Sequence, residues 1–202
     1  MKVLITGGTG FIGSRLAYRC QRRGDEVVIL AQLNTVAEKE NAKSLEQQGF
    51  TLVIGGVADK EKVQQAVAGC DVVFHLAAAQ HEANVPDQHF WDVNVEGTRH
   101  LLDASIEAGV KRFVHGSTIG VYGVEMQGEL NEESVLKPDN IYGVTKKAGE
   151  ELVISYKDKL PVTAVRISET YGAGDRRLLK LFKGIKKRKF FVIGNGENKH
   201  QL

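Results

Sequence analysis

The stretch that decides the fold is Lys2-Val3-Leu4-Ile5-Thr6-Gly7-Gly8-Thr9-Gly10-Phe11-Ile12-Gly13-Ser14-Arg15-Leu16-Ala17. It begins as a short apolar run, passes through a glycine loop and continues with apolar residues at helical spacing. Strand, glycine loop and helix in that order make a weak glycine motif specific for phosphate binding. Gly7 can take backbone angles that a side chain forbids, Gly10 lets the main chain approach a pyrophosphate, and Gly13 lets helix and strand pack closely. The free N–H groups and positive dipole end of the new helix, which opens with Phe11 and Ile12, then face the phosphates.

Outward from this loop, short apolar runs alternate with helical patterns. Lys2–Thr6, Glu26–Ala31, Phe50–Ile54, Asp71–His75, Arg112–His115 and Val162–Ile167 read as strands. Each is too apolar to have one wet face, which places them in a parallel sheet covered on both sides. Ile12–Arg23, Lys60–Ala68, Phe90–Ala108 and Tyr142–Tyr156 read as the crossover helices. The expected fold class is therefore α/β, a doubly wound parallel sheet of the Rossmann type. Asn34–Gln48 is polar and reads either as a helix or as a mobile loop. Asp59 is placed to cap the helix that begins at Lys60.

The 202 residues, 42% hydrophobic and 26% charged, suit a well-buried domain and the start of a second. With 27 Lys and Arg against 25 Asp and Glu, the net charge of +2 gives no reason to expect nucleic acid. Cys20 and Cys70 show neither metal spacing nor a disulfide framework, so reduced thiols in a cytoplasmic protein are expected. Val3-Leu4-Ile5 is too short for a signal-peptide core, and no stretch approaches the ~20 apolar residues of a membrane span. The six histidines, His75 and His115 at strand ends among them, lack ligand spacing, and no metal is expected. The run Lys180, Lys183, Lys186, Lys187, Arg188, Lys189 reads as a solvated face or as a site for an anionic substrate group.

A second motif, Tyr142-Gly143-Val144-Thr145-Lys146, supplies chemistry. Tyr142 and Lys146 lie four apart on an expected helix and so share a face. A phenol with a pKa of about 10 is a poor base at neutral pH. A neighbouring ammonium, together with an oxidised nicotinamide, is expected to lower that pKa and make Tyr142 a general base. Ser117 and Thr118 follow the strand at Arg112–His115 and offer hydroxyls.

With loop, hydroxyls and Tyr/Lys pair in this order, the chain resembles the extended short-chain dehydrogenase/reductase family, which includes the NAD-dependent epimerases and dehydratases. The resemblance implies NAD as cofactor, with NADP open, and a small-molecule substrate oxidised or reduced at a secondary alcohol or ketone. It implies that Lys146 holds the nicotinamide ribose, that Thr118, counted back from Val121-Tyr122-Gly123, binds the substrate oxygen, and that Ser117 lies beside it on the cofactor side. His75-Leu76-Ala77-Ala78 is similar to the family's fourth strand end, where Leu76, Ala77 and Ala78 let the backbone approach the cofactor. Asn94, in Val93-Asn94-Val95-Glu96-Gly97-Thr98, resembles the Asn that supports the active-site backbone; a helix-interior residue satisfied locally is the alternative. Arg166 with Tyr171-Gly172-Ala173-Gly174-Asp175 resembles the segment bordering nicotinamide and substrate.

Departures from the family's pattern are equally informative. Ala31, followed by Gln32, stands where a carboxylate usually holds the ribose hydroxyls. In Gly55-Gly56-Val57-Ala58-Asp59 the acid that usually meets adenine is Gly56, leaving the backbone around Val57 to do so. Dehydratases of the family follow the catalytic Thr with Asp-Glu, whereas Thr118 is followed by Ile119-Gly120, so dehydration ranks below epimerisation or net oxidoreduction. Asp175-Arg176-Arg177-Leu178-Leu179-Lys180-Leu181-Phe182 resembles the sterol-dehydrogenase-like branch at least as much as the sugar-nucleotide epimerases.

The resemblance also implies a homodimer through the Phe90–Ala108 and Tyr142–Tyr156 helices. Residues 1–170 are expected to form the dinucleotide-binding domain and 171–202 a partial substrate region, with Phe190-Phe191-Val192-Ile193-Gly194-Asn195-Gly196 as a strand and turn of it. In the family more chain follows to complete that region, so dinucleotide binding is the firmer expectation. A dinucleotide-binding or redox-sensing module without turnover is the alternative.

Overall fold

A computed structural model describes residues 1–80, 84–124, 128–191 and 194–195, excluding the side chains of Arg176, Arg177 and Lys180. Six strands, β1 (Lys2–Thr6), β2 (Glu26–Ala31), β3 (Thr51–Ile54), β4 (Val72–His75), β5 (Arg112–Thr118) and β6 (Val162–Ile167), form one sheet in the order β3-β2-β1-β4-β5-β6. The pairs β1–β2, β1–β4, β2–β3 and β4–β5 are parallel, with Leu4 opposite Val28 and Val73. Strand order reverses between β1 and β4, and the crevice beyond their carboxyl ends is where such sheets take ligands.

Alternation along the strands explains why both faces are dry. Leu4, Val28 and Leu30 join a core with Val63, Leu101, Leu102 and Val153. Their neighbours Val3, Ile5, Val27 and Ile29 join a second core with Ala17, Cys20 and Leu45 on the other face. The first core is covered by α3 (Lys60–Val67), α5 (Gly97–Glu107) and α6 (Ile141–Ser155), the second by α1 (Phe11–Arg22) and α2 (Val36–Gln47). Cys20 and Cys70 are free and buried, and burial pushes the Cys70 thiol up to about 11.

The ambiguous Asn34–Gln48 segment resolves as α2. The Thr35 side chain accepts from Glu38 N while the Glu38 carboxylate accepts from Thr35 N, a reciprocal cap visible in sequence as Thr-x-x-Glu. Asp59 does cap α3, accepting from Lys62 N at 3.2 Å.

Two expectations need correction. The Phe90–Ala108 segment is not one α-helix: α4 (Asp87–Trp91) runs into a π-helical turn at Asp92–Glu96 before α5. The wider turn lets Asn94 use its side chain on neighbouring elements, the kind of local irregularity often found at functional sites. Strand β5 also runs three residues beyond His115, to Thr118. Its small and polar end, Gly-Ser-Thr, hid that extension from an apolar pattern.

The chain divides into two compact units, Met1–Arg166 and Ile167–Leu202. The second contains α7 (Arg176–Lys186) and a cavity of about 530 Å³ lined mainly by Tyr171, Ala173, Leu178, Leu179 and Phe182. In the basic run, Lys183, Lys186, Lys187, Arg188 and Lys189 are exposed. Of the expected strand and turn at Phe190–Gly196, Val192, Ile193 and Gly196 lie outside the described residues, and Phe190 and Phe191 are not in a strand. No described helix is long and apolar enough to cross a membrane.

Candidate active site

The glycine loop closes over the carboxyl ends of β1 and β2. Gly7 has φ +69°, and a Cβ there would come within 2.9 Å of Ala77 N, so Leu76–Ala77 and the loop pack backbone against backbone. A Cβ at Gly13 would collide with Gly7 O and lie 2.8 Å from Gly8 Cα, which seats α1 directly on the loop. Gly10 caps α1 with no side-chain hydrogen bond, and the first turn holds no acidic residue. Among the described residues no side chain caps this positive helix end. Asn41 Nδ2, from α2, donates to Thr9 O at 2.7 Å and braces the loop from its far side. That brace was not legible in sequence, because it joins residues 32 positions apart. Phe11 is half-buried with the Arg15 guanidinium 3.8 Å from its ring centroid, and Ile12 is half-buried beside it.

Around β4 a buried polar chain holds the backbone. Thr6 Oγ1 accepts from Leu76 N and Ala77 N, each at 3.1 Å, so its single proton goes to His75 Nδ1 at 2.8 Å. His75 Nε2 then carries a proton and donates to Thr98 Oγ1 at 2.9 Å, which donates to Asn94 O at 2.8 Å. Burial, with a smaller push from the Lys146 charge, brings the His75 pKa down to about 3 and keeps the ring neutral, as this network needs. His75 is therefore a satisfied core residue. Asn94 Oδ1 accepts from Ala79 N at 2.8 Å, while Nδ2 donates to Ala79 O and to Thr145 Oγ1. Asn94 thereby ties the segment after β4 to α6.

Helix α6 begins where Asn140 Oδ1 accepts from Gly143 N at 2.9 Å, which places Tyr142 in the first turn. A Cβ at Gly143 would lie 2.8 Å from Gly120 O, so this turn rests on the short 3₁₀ turn Ile119–Val121. The Thr118 hydroxyl accepts from Gly120 N at 3.1 Å and is hydrogen-bonded to the Tyr142 phenol. Thr118 and Tyr142 are thereby brought together.

Lys146 is held by the end of β5. Its buried ammonium donates to Gly116 O at 2.6 Å and lies 3.3 Å from His115 Nε2. Burial pulls its pKa down to about 8, opposed by the Glu150 carboxylate. The Tyr142 phenol is raised above its ordinary value by burial, with the Thr118 hydrogen bond pulling the other way. Burial thus sets the direction at the phenol, while the Lys146 ammonium is engaged at β5. His115 is held neutral by burial and by the Lys146 charge, and its Nδ1 has no partner among the described residues.

The Ser117 side chain is held on the other side of the strand. Side chains alternate along β5, so Ser117 points away from the Thr118 side and donates to Glu150 Oε2 at 2.5 Å. Glu150 also receives Arg166 Nη2 at 2.7 Å and Arg166 Nε at 3.1 Å, and Arg166 Nη1 donates to the Tyr122 hydroxyl at 2.8 Å. This buried clamp, which sequence reading missed in Glu150, fixes the end of β5 on which Thr118 sits. Its only sequence signal is a charge on the buried face of an apolar helix.

Ala31 is buried among the residues of the α1–α2 core, so the polar group that β2 offers at its end is Gln32. Val57 is buried against Gly97, and its carbonyl lies 3.2 Å from His100 Nδ1. Ala78 is half-buried between Ala77 and the Asn94-bound Ala79. Among the described residues no group of His, Cys, Asp or Glu is arranged to hold a metal.

The family model for the NAD dependent epimerase/dehydratase family matches residues 3–202. The chain belongs to this family. A "Low-salt glycan biosynthesis protein Agl12" of Haloferax volcanii is 36% identical over 85% of the chain and 57% of its own length. An N-acetyl-alpha-D-glucosaminyl-diphospho-ditrans,octacis-undecaprenol 4-epimerase of Escherichia coli O157:H7 is 32% identical over 97% and 57%. The NAD complex of the Bacillus cereus UDP-glucuronic acid 4-epimerase superposes with TM-score 0.82 and 32% identity, over 97% of this chain and 67% of that one. The dTDP-glucose 4,6-dehydratase DesIV of Streptomyces venezuelae, with NAD bound, gives 0.85 and 30%, over 98% and 66%. The chain spans little more than half the length of the two curated relatives. For an epimerase/dehydratase family member the Rossmann arrangement and the loop geometry are as required.

Proposed function

We propose that this chain binds NAD and belongs to an enzyme that oxidises and reduces a secondary alcohol of a sugar nucleotide, as an epimerase or dehydrogenase. The observation that carries the reading is the pairing of the Tyr142 phenol with the Thr118 hydroxyl at the end of β5, on the sheet whose glycine loop opens a helix with no side-chain cap. The glycine loop with Phe11 and Ile12 holds the pyrophosphate, the Leu76–Ala78 backbone borders the cofactor, and Lys146 faces its nicotinamide ribose. When bound, NAD supplies the hydride acceptor.

The protein's own part is proton handling. Tyr142, protonated at neutral pH, donates its phenolic proton to a substrate oxygen in the reducing direction and takes one back in the other. Thr118 orients that oxygen. Asn94 fixes α6 against the Ala79 backbone, so that the phenol is presented at one height. Dehydration is not part of this reading, because the turn at Ile119–Val121 carries no carboxylate next to Thr118. The similar UDP-glucuronic acid 4-epimerase and dTDP-glucose 4,6-dehydratase are named for sugar nucleotides, which favours a sugar nucleotide over a sterol-like substrate.

Calorimetric titration with NAD, followed by UDP- and dTDP-hexose panels read by reduced-nicotinamide absorbance and product analysis, tests the proposal. Absence of NAD binding refutes it, whereas binding without turnover favours the non-enzymatic module. A homodimer is proposed through α4–α5 and α6, where Trp91, Ile106, Val144 and Ile154 are exposed. Light scattering of the purified chain checks it.

A further inference from the structure

His115 is wholly buried, yet its Nδ1 has no partner among the described residues. Its other ring nitrogen, Nε2, lies 3.3 Å from Lys146 Nζ, and the same ammonium donates to the carbonyl of the next residue, Gly116, at 2.6 Å. A neutral imidazole has one N–H and one lone pair, whereas an ammonium only donates. Nε2 must therefore present its lone pair to Lys146, which puts the ring proton on the unpartnered Nδ1. A buried N–H without an acceptor is costly, and the bond accepted from a charged donor offsets it. The other tautomer sets two donors against each other. No neighbouring ring changes this: the His75 ring centroid is 5.2 Å away, and both His75 nitrogens are engaged with Thr6 and Thr98. On the α6 side, a Cβ at Gly149 would come within 2.6 Å of Asn94 O and 3.9 Å of His115 Cε1, so the helix closes over the ring.

We propose that His115 is a positioning residue for Lys146: its Nε2 lone pair, together with Gly116 O, fixes the ammonium at the end of β5 and keeps it charged in a buried site. Two of the three ammonium N–H groups are thereby held by β5, and one is left for a further acceptor. The inference rests on the reading of Lys146 as the group that faces the nicotinamide ribose, and adds how its charge is kept. Burial brings the Lys146 pKa down to about 8, and a hydrogen bond accepted by His115 acts in the opposite sense. The other titratable neighbours do not replace it. Glu150, one turn along α6, favours the ammonium but is shared with Ser117 and with Arg166 of β6. His75 of β4 is neutral, and Tyr142, one turn earlier on α6, is protonated and paired with Thr118. Once Lys146 is a free amine, its lone pair accepts from Nε2–H; the ring has then exchanged its Nδ1 proton for one on Nε2, and one proton in all goes to solvent.

The test is NMR of the chain labelled with nitrogen-15 at lysine Nζ and in the histidine rings, titrated from about pH 6 to 10. The Lys146 signal is assigned by its loss in Lys146→Met and the His115 signals by their loss in His115→Phe. Lys146 should titrate at about 8. Below that midpoint His115 should show Nδ1 protonated and Nε2 bare, and above it the reverse. His115→Phe fills the ring volume without an acceptor, and should lower the Lys146 midpoint by about one pH unit, the size expected for a hydrogen bond to a charged group. His115→Gln, whose amide oxygen reaches the Nε2 position, should restore most of the midpoint. His115→Asn mimics Nδ1 instead and should not. Thermal melting checks each fold, and if His115→Phe does not fold the contrast between Gln and Asn decides. NAD affinity by calorimetry should fall as pH rises through the same midpoints, by roughly tenfold. A Lys146 midpoint that is the same in all variants, or a proton on Nε2 opposite the ammonium, overturns the inference alone. Midpoints that move while NAD affinity does not follow uphold His115 as the positioning residue and overturn the ribose reading of Lys146.

Discussion

The buried ammonium of Lys146 should make stability rise with pH in a window set by its surroundings. Its pKa is about 8 in the fold against an ordinary 10.5. Above pH 8 the folded chain releases this proton while the unfolded chain still holds it, so the unfolded state binds more protons and stability increases with pH until about 10.5. Below pH 8 both states are protonated and the full desolvation cost is felt. A displacement of this size corresponds to a limiting gain of about 3 kcal/mol, most of it reached by pH 10. Other groups titrate in the same range, so the quantity to measure is the difference between wild type and Lys146→Met, from urea unfolding at pH values from 7 to 10. Met fills the stem's volume and leaves Gly116 O without its donor, a constant offset that pH does not move. The difference should grow in favour of wild type by about 2 to 3 kcal/mol across this range. Parallel pH profiles would show that the ammonium is solvated and that its confinement between Gly116 and His115 is wrong.

Glu150→Ala should cost about 3 kcal/mol, the low end for breaking a buried pair because Arg166 keeps 17% side-chain exposure; a loss under about 1 kcal/mol in denaturant unfolding contradicts the clamp. Gly10→Val should abolish NAD binding with the fold retained, since a Cβ already approaches Gly7 O at 3.2 Å and the branches extend into the pyrophosphate path; unchanged calorimetric affinity removes the phosphate-loop assignment. In an active form of the enzyme, Tyr142→Phe should lower turnover by roughly 10²–10⁴-fold with NAD affinity nearly intact, and full activity refutes the proton role.

The order of strands and helices was readable because the apolar periods differ. Buried parallel strands appear as continuous runs such as Val27–Leu30, and the helices as three- and four-residue spacings. The glycine loop was readable for a related reason: Gly7 and Gly13 are fixed by local backbone demands that few other residues satisfy. The α2 segment stayed open between helix and loop although its Thr35–Glu38 cap was in plain view, because a polar helix gives little periodic signal.

What sequence by itself determined, then, is whatever depends on neighbours along the chain: the strand–loop–helix unit, the caps, and the one-faced spacing of Tyr142 and Lys146. Tertiary structure alone decided the contacts between side chains distant in sequence. It turned Ser117 toward Glu150 and Thr118 toward Tyr142, since adjacent residues of a strand face opposite sides. It engaged Lys146 with Gly116 and His115. The direction and surroundings of a side chain set its hydrogen bonds and its pKa, and those surroundings exist only once β5, α6 and the strand ends have packed together.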